Sequence, residues 1–162
     1  MQGDHTAALS SLRSAYELLR RTLGEKHPDA LSTLASLADA HAQAGEWPAA
    51  EELLVQAADW ERERVGEQHP DYARVVQQLG RLYQMMNNLP AAEVRYREVL
   101  QIMRRVHGEE HAEYARAVQD LAQLYHQVND FGTAAQFYQL ASEIRHNNPG
   151  SDHPDYAESQ LG

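Results

Sequence analysis

Apolar residues along this chain recur every three or four positions. Between 70 and 86 they fall at Val76, Leu79, Leu82 and Tyr83, with Gly80 in the same stripe. Between 112 and 127 they fall at Val118, Leu121, Ala122 and Tyr125. This is the spacing of one face of an α-helix, not the alternation of a half-buried strand. A second stripe follows the first: Ala91, Ala92, Tyr96, Val99, Leu100 and Ile102, starting near Leu89-Pro90. Between the two stripes Asn87-Asn88 breaks the helix, as Gly45 and Asn129 do elsewhere, because all three residue types tolerate a left-handed end position. Pro70 suits a first helical turn, where its missing N–H is not needed, and Asp71 adds a negative charge at the positive end of the helix dipole. The pattern therefore predicts helix pairs.

The pairs repeat. Gly24, Gly66, Gly108 and Gly150 are 42 residues apart, as are His27, His69, His111 and His153. Leu37, Leu79 and Leu121 keep that interval, and so do Ala50, Ala92 and Ala134. The segment Gly66-Glu67-Gln68-His69-Pro70-Asp71-Tyr72-Ala73 returns in altered form at Gly108 and again at Gly150. The expected organisation is one repeat domain over 1–162, with full repeats at 24–65, 66–107 and 108–149. An unpaired second helix at 4–23 and a truncated next repeat at 150–162 flank them. Both flanks are cut inside a repeat, so the chain is expected to be a fragment of a longer array. Helical arrays normally shield their terminal faces with polar caps, so uncapped ends favour end-to-end self-association.

Small residues at Ala38, Gly80 and Ala122 and at Ala50, Ala92 and Ala134, together with bulky Tyr83, Tyr125, Tyr96 and Tyr138, resemble the tetratricopeptide repeat. The 42-residue period, the His-Pro-Asp-Tyr-Ala link and the Leu-Tyr ending of the first helix are similar to the long-helix variety found in kinesin light chains. The resemblance implies an all-α fold, a right-handed superhelical solenoid of antiparallel helix pairs. It also implies protein–protein interaction through a concave groove.

Composition narrows the alternatives. The net charge of −10 opposes long-range attraction to nucleic acid or anionic lipid. With no cysteine there is neither a disulfide framework nor a thiolate metal site. No apolar run approaches the ~20 residues that span a bilayer, and residues 1–5 do not begin a signal peptide. A cytoplasmic protein is expected.

The side of each first helix opposite its apolar stripe supplies the candidate site. It carries Asp39 in the first repeat and Arg74, Gln77, Gln78, Arg81 and Gln84 in the second. In the third it carries Arg116, Gln119, Asp120, Gln123 and His126. Three arginines against two aspartates make this wall slightly basic, and arginine pairs with carboxylates in a bidentate fork. Glutamine offers donors and acceptors to an extended peptide backbone. The expected partner is a protein or peptide, with acidic residues a fitting feature. The resemblance implies an Asn pair at the sites held here by Gln77-Gln78 and Gln119-Asp120. Both pairs are replaced, so the family's preference for acidic, tryptophan-containing peptides is not carried over. Of the clamp used by chaperone-binding members, at Ala35, Asp39, Gln78, Arg116 and Asp120, only Arg116 fits.

Catalysis finds little support. His107-Gly108-Glu109-Glu110-His111 fits an H-x-x-E-H zinc-protease string, but that chemistry needs both histidines on one face of a continuous helix. Here the string straddles a repeat boundary, and the repeat histidines are better suited to capping or packing at the link. No phosphate loop or nucleophile elbow is present. The expectation is a non-enzymatic binding module without cofactor or metal. The alternative is a structural or sensor segment of a larger bacterial signalling or scaffold protein with no ligand of its own.

Overall fold

The computed structural model describes residues 2–147, with side chains from Ala7 onward; the expected truncated repeat at 150–162 lies outside the described residues. Seven helices and no strand occur among them. They are α1 (Gln2–Leu23), α2 (Pro28–Gln43), α3 (Trp47–Val65), α4 (Pro70–Met85), α5 (Leu89–His107), α6 (Ala112–Gln127) and α7 (Phe131–Asn147). The all-α class expected from the periodicity is the one observed. The described residues divide into two compact units that part between Arg95 and Tyr96. In the first, α2 packs against α1, α3 and α4, and α3 packs against α4. In the second, α6 packs against α7.

Two local devices set the helix boundaries, and both keep the 42-residue period. At each entry to α2, α4 and α6 a histidine is the N-cap. The N–H of Asp29 donates to Nδ1 of His27 at 3.2 Å. Asp71 and Glu113 donate likewise to His69 and His111, both at 3.1 Å. An imidazole nitrogen thus fills the role that a Ser or Asp oxygen usually plays. Replacing His69 by alanine should cost about 1 kcal/mol, with serine restoring most of it; an unchanged melting temperature for the alanine variant would deny the cap any weight. The first-helix exits are Schellman turns. Glu46, Asn88 and Asp130 each donate their N–H to the carbonyl five residues back, at 2.9, 2.8 and 2.9 Å. The residues before them, Gly45, Asn87 and Asn129, sit at φ 78°, 58° and 62°. Glycine and asparagine take that conformation at the least steric cost.

The core is the apolar stripe read from the sequence. Leu31, Leu34, Leu54 and Val76 fill the first unit, and Tyr96, Val118 and Leu121 the second. Ala50, Ala92 and Ala134 are buried, as are Ala38, Gly80 and Ala122. A larger side chain at any of them would push paired helices apart. Not every bulky position closes. Tyr96 is 2% exposed but its repeat equivalent Tyr138 is 40% exposed. Trp60 shares a register with buried Ile102 and Ile144 yet stays half-buried, because an indole outgrows the space an isoleucine fills.

Candidate functional site

In the first unit the wall is made by α2 and α4, whose contact leaves a cleft of about 280 Å³ between them. Ser32, Ala35 and Ser36 line it from α2, and Arg74, Val75 and Gln78 from α4. The small residues arise where the first repeat has Ser32 and Ser36 in place of the Arg74 and Gln78 of the second. Their shortness opens the cleft.

The sequence-predicted residues of this unit fall on the wall in graded fashion. Arg74 and Arg81 are exposed, whereas Gln77, Gln78 and Gln84 are half-buried. Gln78 crosses to the neighbouring helix, its Nε2 donating to Oδ2 of Asp39 at 3.3 Å. Asp39 is exposed by area, but its carboxyl titrates above the ordinary aspartate range. Burial of the carboxylate is the main cause, and the Arg81 charge and the Gln78 hydrogen bond only partly offset it. A raised carboxyl pKa means that the charged form opposes folding above the unfolded pKa, a cost that fades as pH falls through the folded one. Asp39→Asn, which keeps an acceptor for Gln78, should therefore raise the melting temperature at pH 7. The difference should vanish in acid, and a lower melting temperature at pH 7 would contradict this electrostatic account.

The second unit presents α6. Arg116, Gln123 and His126 are exposed, and Gln119 is half-buried, accepting a hydrogen bond from Arg145 of α7. His126 meets Phe131 edge-on at 5.2 Å. Asp120 corrects the expectation of an open position: it is only 8% exposed. It directly precedes core residue Leu121, only one 100° step from the packed stripe. Its repeat equivalent Gln78 likewise turns towards a neighbouring helix instead of outwards.

Charge on the wall also differs from a simple count of arginines. Arg74 is paired with Asp71, three residues before it. Arg116 makes two bonds to Glu113, at 2.9 and 3.0 Å. Asp71 in turn accepts from Arg64 at 2.8 Å. Burial pushes the Asp71 carboxyl up, but the Arg64 hydrogen bond and the charges of Arg74, His69 and Arg64 outweigh it and hold it below the usual range. Arg64 also bonds Glu61, at 2.9 and 2.7 Å, and Glu61 is 4% exposed. Glu61, Asp71 and Arg74 of this Glu61–Arg64–Asp71–Arg74 chain line the cleft, and the chain was not foreseen from the sequence. A signal existed: Glu61 stands where the next repeat has Met103, a buried core residue. An acid in a core register implies a buried cation partner.

The histidine pair weighed as a zinc string has a different arrangement. The rings of His107 and His111 stack with centroids 4.4 Å apart, and His111 Nδ1 is occupied by the Glu113 N–H. Gly108, at φ 86°, ends α5 between them, so no single helix face carries both. Among the described residues no group of three or more His, Cys, Asp or Glu is placed to hold a metal, and no helix is long and apolar enough to cross a membrane.

The family profile of the tetratricopeptide repeat matches residues 1–60, 42–105 and 91–146. No protein of curated function matches the sequence. Among solved structures, BtubC (BKLC) from P. vanneervenii superposes with a TM-score of 0.77 at 25% identity over 99% of this chain. The chain spans 64% of the length of that structure. A Podosopora anserina protein of nearly identical TPR-like repeats, named for kinesin light chain, superposes at 0.73 with 24% identity. That match covers 98% of this chain and 75% of the other.

Proposed function

Since the chain belongs to the tetratricopeptide repeat family, whose repeats mediate protein–protein interaction, we propose that it binds a peptide or partner segment on the wall of its first helices. The observation that carries this reading is the α2–α4 cleft, an open polar recess beside half-buried glutamines. Glutamine amides satisfy the N–H and C=O of an extended backbone in pairs, and the short Ser32 and Ser36 leave room for a ligand side chain. Arg74 and Arg81 in the first unit, and Arg116 in the second, are the contacts for ligand carboxylates. At Arg74 and Arg116 such a carboxylate must displace Asp71 or Glu113, so its gain there is reduced. The wall works by binding and needs neither a catalytic group nor a cofactor. Cytoplasmic residence and self-association through the end faces belong to the same reading.

The test is a selection of random dodecamer peptides on the immobilised chain. The recovered peptides are then measured by fluorescence anisotropy against the wild type and Arg74→Glu/Arg81→Glu. Loss of charge-assisted hydrogen bonds should weaken binding about tenfold or more. Equal affinities would remove this surface from consideration. The ion-paired state of Arg74 and Arg116 favours one second reading, a structural or sensor segment whose wall has no ligand of its own; a selection that yields no wall-binding peptide would establish it.

A further inference from the structure

We propose that the α2–α4 cleft is a subsite for a cationic hydrogen-bond donor, the ammonium group of a partner's lysine side chain, received by Gln78 Oε1. Gln78 is the starting point. Its Nε2 is committed to Asp39, while its Oε1 is buried and accepts no hydrogen bond from any described residue. Turning the amide around would bring Oε1 against the Asp39 carboxylate, acceptor facing acceptor, so the observed orientation is the favoured one. Buried polar atoms in folded proteins are nearly always paired, and an orphaned acceptor in the lining of a cleft calls for a donor from outside.

The surroundings select a cationic donor over a neutral one. Asp29, Glu61 and Asp71 line the cleft against a single lining cation, Arg74. Arg64 supplies a second positive charge to Glu61 and Asp71, which leaves the group one charge negative. Asp39, whose carboxylate accepts from Gln78 Nε2, adds a further negative charge next to that amide. Ser36 has its hydroxyl proton engaged on the Ser32 carbonyl at 3.0 Å, so it meets a visitor as an acceptor. An ammonium group brings three donors and no acceptor, which suits this set. Ala35 and Val75 give apolar lining for a methylene stem. At about 30 Å³ per water, 280 Å³ has room for such a stem and its head group. Because Oε1 is closed to solvent, entry needs side-chain motion, and Ser32, Ser36 and Arg74 are exposed around the cleft. The inference deepens the peptide-binding reading by naming one side chain the wall accepts, and it relies on that reading only for how the cation arrives.

The probes are n-butylammonium and N-acetyl-lysine amide, with acetate and N-acetyl-norleucine amide as controls. They are titrated into the isotope-labelled chain while the Gln78 side-chain amide and the Ser36 backbone amide are followed by NMR. The cationic probes should give saturable shifts at both, and the controls should give none. Gln78→Leu should weaken the affinity about tenfold and Ser36→Ala, a change at an exposed position, about fivefold. No saturable shift at high millimolar probe, equal shifts from the controls, or affinity untouched by both variants would each overturn the subsite. If ammonium binding holds while the peptide selection yields nothing, the subsite stands and the peptide-binding reading falls. If peptides bind the wall but no ammonium does, the opposite follows.

Discussion

Replacing Leu34 by alanine is expected to destabilise the first unit by about 3–5 kcal/mol, read as a shift in the denaturant midpoint. Leu34 is 0% exposed, on α2, which packs against α1, α3 and α4. Truncation removes buried methyl groups and leaves a cavity that three helices would have to move together to fill. Partial relaxation puts the cost in the upper half of the leucine-to-alanine range. In a repeat fold each helix pair is stabilised mainly by its nearest neighbours, so the loss should stay local. Amide exchange should accelerate across α1 to α4, while α6 and α7 keep their protection. A change below 1 kcal/mol, or equal acceleration everywhere, would contradict this picture of the packing.

The other large effect is expected at Arg64. The substitution Arg64→Met keeps the length and apolar contact of the stem but strips Glu61 of both hydrogen bonds. Glu61 is almost fully enclosed, and a buried carboxylate left without its counter-charge costs far more than an exposed ion pair contributes. The expected loss is about 3 kcal/mol, at the low end for a broken buried pair because Arg64 keeps a quarter of its side-chain surface in solvent. The double variant Glu61→Met/Arg64→Met should recover most of this, since methionine already occupies the same register at Met103. A single variant as stable as wild type would show that Glu61 does not need its partner. Failure of the double variant to recover would locate the cost in Asp71, which also loses its bond to Arg64.

Most of the fold was legible in the sequence, for a local reason. Helical periodicity, proline or a small residue at the first turn, and a glycine or asparagine at each exit act through the backbone of a few consecutive residues. The 42-residue repeat then tests the same reading several times. Thus the histidines assigned to capping or packing do cap, with His27, His69 and His111 in equivalent bonds. Gly45, Asn87 and Asn129 do take left-handed backbone. Of the candidate wall, Arg74, Arg81, Arg116, Gln123 and His126 are exposed as a helical wheel implies.

A wheel says which way a residue points from its own axis, but not what lies opposite. Asp120 and Gln78 sit at the edge of the stripe, where a few degrees of rotation and the closeness of the next helix decide between wall and interior. The pairing of Arg64 with Asp71 joins the end of one helix to the start of the next across a loop. Placement of Glu61 beside Arg64 turned an acid in a core register into half of a buried pair. The sequence by itself determined the helices, their ends and the repeat, because those depend on short-range backbone geometry. Tertiary structure decided the accessibility of the wall and the Arg64–Asp71 and Gln78–Asp39 bonds, because these depend on distances between different helices, whereas the Arg74–Asp71 and Arg116–Glu113 pairs lie three residues apart on one helix.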